Sequence, residues 1–309
     1  MRLARFSQER LSDLTRTLQL DYEQSSGYMV LLRGARELAM ARGGLKLLAE
    51  SGISFELIDA DKARRLEPGL NSATTLRAAI HLPNDGVGNC RQFAHLLKSE
   101  GQRQGASFRF DEAVLRVLPG STPRVETSSG HADFDAVVLC SGVDSNRLLQ
   151  PLGLKLPLRP VYGYSVTAPM RHLDGHADFG PRAALMDEKY KVAISRLGQR
   201  VRVAGSAELG GSIEQHTLPA LRTLYRVLDD WFPGATLTTQ AQHWKGARPM
   251  LPDGPPVLGR SGAPGVWLNL GHGSSGWALA CGSAQVLAAQ IGGRAAPIDL
   301  SGLGIERLR

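Results

Sequence analysis

Three successive patterns near the C-terminus constrain this chain most. Trp267-Leu268-Asn269-Leu270 closes an apolar strand pattern that starts at Val266. Gly271-His272-Gly273-Ser274-Ser275-Gly276 then places three glycines in six residues, and Trp277 to Gln290 reads as an apolar helix. Glycine lets the backbone approach a ligand closely, and a helix start presents N–H groups and a positive dipole end. An anionic or electron-rich ring suits such a turn. A plain tight turn between strand and helix uses the same residues, and the loop alone does not separate the two. Just upstream, Trp244 to Gly254 fixes Arg248 between Gly246-Ala247 and Pro249. A planar guanidinium there offers two parallel donors to a carboxylate, or closes an internal salt bridge.

A second strand signal is Asp135 to Cys140, largely apolar and ending at Ser141-Gly142. It reads as a strand buried on both faces, as in a parallel sheet, and feeds a helix from about Ser145. The spacing of Leu11, Leu14 and Leu18 predicts an amphipathic first helix. Strands are expected at 28–32, 55–59, 76–82, 107–110 and 113–118, with a turn at Pro83-Asn84-Asp85-Gly86. Helices are expected at 35–51, from Asp59 or Asp61 to Leu66, from Asn89 to about Gln104, and at 219–232. From Leu158 to Ala207 strands dominate, which predicts an antiparallel sheet. The fold class is α/β, mixed α+β, with two discontinuous domains woven together. One comprises 21–84 and 158–246, the other 85–157 and 247–309, with 1–20 a connecting helix.

Composition excludes several classes. At 309 residues the chain can bury a large core. The formal charge is +7, but the basic residues are scattered without interleaved aromatics, against nucleic-acid binding. No secretory signal pattern is seen, which points to a cytoplasmic protein, and the charge is compatible with the inner face of a membrane. Cys90, Cys140 and Cys281 form no CxxC and are expected to be buried free thiols. His172 and His176 share an i, i+4 spacing, but Gly175 and Pro169 argue for a loop, so no metal is expected. Tyr164 and Tyr190 fall on or beside strands, where a phenol packs in a core or bonds a carboxylate. His272 is as readily structural as catalytic.

Taken together, Leu82-Pro83-Asn84-Asp85, Gly163-Tyr164-Ser165, Asp187 to Lys191, Arg248 to Gly254, Trp267 to Gly273 and Gly276-Trp277 resemble the D-amino acid dehydrogenases. These are flavoproteins of the D-amino acid oxidase, glycine oxidase and sarcosine oxidase superfamily. The resemblance implies FAD and a Rossmann-like FAD domain beside a substrate domain. It also implies oxidative deamination of a D-amino acid to a 2-oxo acid and ammonia. A quinone or other carrier would take the electrons. Arg248 would clamp the substrate carboxylate, with Tyr164, Tyr190 and His272 as further catalytic candidates. Gly271, Gly273, Ser274, Gly276 and Trp277 would lie along the flavin, and Val114, Ser141 and Gly142 near its adenine and pyrophosphate part. A glycine or sarcosine oxidase, or a D-hydroxyproline dehydrogenase, is the neighbouring alternative. The resemblance also implies a strand-GxGxxG-helix unit ahead of Met1, whereas the sequence starts directly in a helix pattern. The expectation is therefore a truncated or mis-started copy, with a non-catalytic remnant as an alternative reading, or a subunit completed by a partner, with an unpaired sheet edge near Val137 to Leu139.

Overall fold

The structure is a computed structural model and describes residues 1–171 and 179–308. His172 and His176 lie outside the described residues. The first elements in chain order are α1 (Arg2–Thr17), β1 (Ser25–Leu32), α2 (Ala35–Glu50), β2 (Glu56–Ile58), α3 (Ala60–Leu66), β3 (Ala78–Val87) and α4 (Cys90–Arg103). Next come β4 (Val114–Leu118), β5 (Arg124–Thr127), β6 (Gly130–Asp133), β7 (Val137–Leu139), α5 (Ser145–Leu149), β8 (Arg159–Pro169) and β9 (Ala184–Asp187). The last are β10 (Val192–Leu197), β11 (Arg200–Leu209), α6 (Leu218–Trp231), β12 (Gln242–Met250), β13 (Val257–Arg260), β14 (Val266–Leu270) and α7 (Gly276–Ile291). The chain divides into two discontinuous units. Unit 1 is Met1–Leu20, Leu96–Val161 and Ala247–Arg309; unit 2 is Asp21–His95 and Tyr162–Gly246. The first helix, expected as a connection, thus belongs to unit 1.

Unit 1 holds two three-stranded sheets, in orders β13-β14-β7 and β4-β5-β6. β7 pairs in parallel with β14, Val137 opposite Val266 and Leu139 opposite Leu268. Leu139, Leu268, Leu270, Val257, Leu149 and Leu156 form the core beside them. No strand pairs with the other edge of β7 among the described residues. Val138 is 37% exposed there, so β7 is not buried on both faces. The amphipathic pattern of α1 lays that helix against α7. Gly282 is required for this approach: a β-carbon on it would stand 2.8 Å from the Ser7 β-carbon. The Gly282 amide donates to the Ser7 hydroxyl at 3.0 Å.

Unit 2 is built on an eight-stranded sheet, order β12-β8-β11-β10-β9-β1-β3-β2. It is mixed rather than antiparallel throughout, because β1 runs parallel to β9. The apolar face of α6 (Leu221, Leu224, Val227, Leu228, Trp231) is buried in its larger core. Asp59 caps α3, accepting from the Lys62 amide at 2.7 Å, which is the usual N-cap solution.

Several local expectations are corrected. Pro83 to Gly86 is not a turn. β3 runs through it, and the β1 register jumps from Tyr28↔Leu82 to Ser26↔Gly86. Pro83, Asn84 and Asp85 therefore bulge opposite Gly27, whose φ is +94°; pairing with β1 overrides the turn composition. Residues 107–110 form no strand, since no neighbour offers a ladder, and Phe108 and Phe110 are exposed. The hairpin β5–β6 was not anticipated. Cys90 and Cys140 are exposed and Cys281 is half-buried, because the first two sit at element ends rather than in a core. No metal-binding group of residues occurs among the described residues. No helix among them is long and apolar enough to cross a membrane.

Gly282→Val should free α1 from α7. The check is hydrogen exchange: the α1 amides are expected to lose protection while the sheet of unit 2 keeps its own.

Candidate functional site

In unit 1, parallel pairing brings two chain turns to one end of the sheet. After β7 come Cys140, Ser141 and Gly142; after β14 come Gly271 to Ser275, leading directly into α7. Open α/β sheets bind ligands outside the carboxyl ends of their strands. Gly142 has φ +58° and open space where a β-carbon would stand. Gly271 and Gly273 have φ +74° and +56°, the left-handed region that glycine enters freely. Here the glycines also serve the protein itself. A β-carbon at Gly271 would lie 2.4 Å from Leu251 Cδ1, and one at Gly273 2.5 Å from Met250 Sδ. The loop is thereby packed against the end of β12, the strand that carries Arg248.

Arg248 is half-buried, and burial pulls its pKa below the ordinary value. Its charge would be stabilised by an anionic ligand. Ser274 is exposed, and Gly276 and Trp277 are half-buried in the first turn of α7. Val114 opens β4 in the other sheet of unit 1, its carbonyl accepting from Arg147 at 3.0 Å. His272 pairs Nε2 with the Ser283 hydroxyl at 3.0 Å. Burial lowers its pKa to about 4, so the ring is neutral at neutral pH.

One feature at this end escaped sequence reasoning. Asn269, the fourth residue of β14, has a buried Oδ1 with no hydrogen-bond partner among the described residues. Its side chain bonds the Cys140 thiol. A buried acceptor lacking a donor is uncommon. With the open Gly142 and the α7 N-terminus it forms a cradle of close-approach backbone and polar groups. These residues fit a large anionic ring cofactor such as FAD, which needs close approach, donors for phosphate or ring oxygens, and little side-chain bulk.

The two tyrosines of unit 2 lie in different clusters. Tyr190 lies against the Arg33 guanidinium, 5.1 Å from it, and Trp231 stacks on Arg33 at 4.8 Å. Arg33 bridges the fully buried Asp187 and the part-exposed Asp230, each at 2.7 Å, and Trp231 Nε1 donates to Asp187 at 2.7 Å. Tyr164 is buried, and its hydroxyl donates to Glu208 and bonds Thr217 Oγ1 at 2.9 Å. It also accepts from the Thr217 amide at 3.1 Å. Lys245 Nζ donates to Glu208 Oε1 at 2.9 Å and to the Gln215 carbonyl at 2.7 Å. The bonds from Tyr164, Lys245 and Thr217 hold the Glu208 carboxyl at about 2.

Residues 1–290 match the family model described as FAD dependent oxidoreductase. The D-amino acid dehydrogenase of Cereibacter sphaeroides is 43% identical over 313 residues, covering 99% of this chain and 70% of that protein. The one from Rhizorhabdus wittichii is 39% identical, with coverage of 99% and 74%. Among solved structures, glycine oxidase from Geobacillus kaustophilus superposes with a TM-score of 0.87 at 20% identity, covering 98% of this chain and 82% of that one. The chain therefore belongs to the FAD-dependent oxidoreductase family. As a flavoprotein oxidoreductase it takes electrons from a substrate and passes them to an acceptor.

A histidine whose folded pKa lies below its unfolded value stabilises the fold on the neutral side. That contribution is complete above about 6.5 and is lost as pH falls toward about 4. Denaturation of the wild type at pH 7 and pH 4.5 should show a loss, up to about 3 kcal/mol, that His272→Asn lacks. An equal loss in both proteins would assign the acid sensitivity elsewhere.

Proposed function

We propose that the chain oxidatively deaminates D-amino acids to 2-oxo acids and ammonia. The observation that carries this is Arg248, held half-buried on β12 two residues before Met250, which packs on the glycine loop that follows β14, in a chain 43% identical to a D-amino acid dehydrogenase. FAD, when bound, supplies the acceptor for the hydride leaving Cα; water then hydrolyses the imine. The chain's own residues bind and orient. Arg248 holds the substrate carboxylate through charge-assisted bonds, and binding in one orientation removes much of the entropic barrier. Gly271, Gly273, Ser274, Gly276 and Trp277, with Ser141 and Gly142, line the flavin cradle, and Val114 belongs toward its adenine end. No general base is required if the amine arrives neutral. His272, neutral and spent on Ser283, fixes the start of α7. Tyr190 works through Arg33 as part of the unit 2 core.

The electron acceptor in this reading is a quinone or another carrier, reached at the cytoplasmic face of a membrane that the basic chain meets peripherally. A second reading is favoured by one observation, that no strand pairs with the outer edge of β7 among the described residues. There a further strand completes the flavin site, supplied by a partner subunit or by other chain.

The test is product analysis with an artificial electron acceptor. D-amino acids should yield 2-oxo acid and ammonia in equal amounts, and L-enantiomers should not. Arg248→Ala should raise KM by about 10- to 100-fold. Turnover of glycine or sarcosine alone would move the chain to the amine oxidases, and unchanged kinetics in Arg248→Ala would remove that residue from the site.

A further inference from the structure

Helix α2 carries two adjacent glycines, Gly43 and Gly44, in its interior. Glycine is the poorest helix former after proline, because it gives up the most backbone freedom. Nothing within the described residues requires it there. Neither glycine has a positive φ, and a β-carbon on either would meet nothing within 4 Å. Gly271 and Gly273 differ, since neighbouring side chains fill the space at both. The face around Gly43 is apolar although it is exposed. Met40 is 66% exposed and Leu47 54%, whereas Leu38, Ala41, Leu45 and Leu48 turn inward onto the sheet. Leu57 on the edge strand β2 is 47% exposed and extends this surface. It pairs with Ile80, in the core that α2 covers, and directly opposed residues share a sheet face.

Charge decides how such a face can be covered. Arg36, Met40, Gly43, Leu47 and Glu50 recur at helical spacing along one stripe of α2. Arg36 stands seven residues before Gly43 and Glu50 seven after it, about 10 Å to either side. No ion pair involves Arg36 among the described residues. Glu50 meets its helix neighbour Lys46 at 3.8 Å, both exposed, a pair of little worth. Two copies of α2 laid in parallel would set arginine against arginine and glutamate against glutamate. Laid antiparallel about a two-fold axis at Gly43, each Arg36 meets Glu50 of the partner subunit. Met40 then falls beside Leu47 of the partner subunit, and the glycines let the two backbones close. We propose that α2 is a homodimer contact: two copies of this chain pair through it, antiparallel, with Gly43 at the crossing point. The surface is one helix and one strand edge per copy, so the dimer is weak and concentration-dependent. The contact lies within unit 2 and does not rest on the reaction proposed above.

The experiment is sedimentation velocity of the full chain between about 5 and about 500 µM. Flotation with phosphatidylglycerol vesicles reads the other occupant, a lipid surface. The wild type should pass from monomer to dimer across that range. Gly43→Leu should raise the dimer Kd by about tenfold or more. It should leave the Tm of dilute protein unchanged or higher, because leucine is the better helix former in the same open space. Arg36→Glu and Glu50→Arg should each weaken the dimer about tenfold. Together they should bring Kd back to within about threefold of wild type, because the pair re-forms with its signs exchanged. A wild type still monomeric at about 500 µM would overturn the proposal. So would a Kd that moves less than about twofold in Gly43→Leu, which would put the association elsewhere, the open edge of β7 included. A double variant no tighter than the single ones would overturn the antiparallel register. A monomer that floats with the vesicles, and no longer does so as Met40→Glu, would give the face to lipid instead.

Discussion

The parallel pairing of β7 with β14 is the contact on which unit 1 depends. It places Leu139 beside Leu268, both in one core, and so fixes where the two chains leave the sheet. Cys140-Ser141-Gly142 and Gly271 to Ser275 depart at the same end, and the second loop has α7 directly behind it. If that register slipped by one residue, the side chains would exchange faces. The backbone groups of the two loops would no longer converge. α1 supports the arrangement from the other side of α7 through the Ser7–Gly282 approach. Met250 and Leu251 fill the space that glycine leaves at positions 271 and 273. The loop glycines are thus needed for the fold of the loop itself as well as for any ligand.

Unit 2 rests on a different device, buried charge with every partner supplied. Asp187 is fully buried yet accepts from Arg33, Trp231 and the Tyr190 amide. Removing one member of such a set leaves an uncompensated charge, typically a loss of about 3–5 kcal/mol. This cluster ties β9 and α6 together and leaves no acceptor of Asp187 idle. The Lys245 cluster ties β8, β11, β12 and the approach to α6 by the same logic.

Much of this architecture was legible in the sequence because hydrophobic period changes at element ends. The strand, glycine loop and helix from Val266 onward read directly, as did α2, α3 with its Asp59 cap, and α6. Partner-dependent features did not read. Pro83-Asn84-Asp85-Gly86 has turn composition, and only the β1 register shows that it is a bulge opposite Gly27. Residues 107–110 alternate like a strand but find no ladder. The polar hairpin β5–β6 carries too few apolar residues to announce itself. In the site, Arg248 and the glycine loop were found from local pattern. Asn269 was passed over because an orphaned acceptor is a property of packing. Tyr162 and Tyr164 are indistinguishable in sequence, since they share a strand face. What separates them is Glu208 and Thr217, which bond Tyr164 and come from distant segments of the chain.

In the proposed reading, the turns after β7 and β14 hold FAD in this chain. The most direct measurement is the absorbance spectrum of the purified chain after mixing with FAD and desalting. A retained flavin band that bleaches anaerobically with D-alanine is expected. A protein that emerges colourless from desalting would contradict it, and would make the open edge of β7 the place where the site remains to be completed.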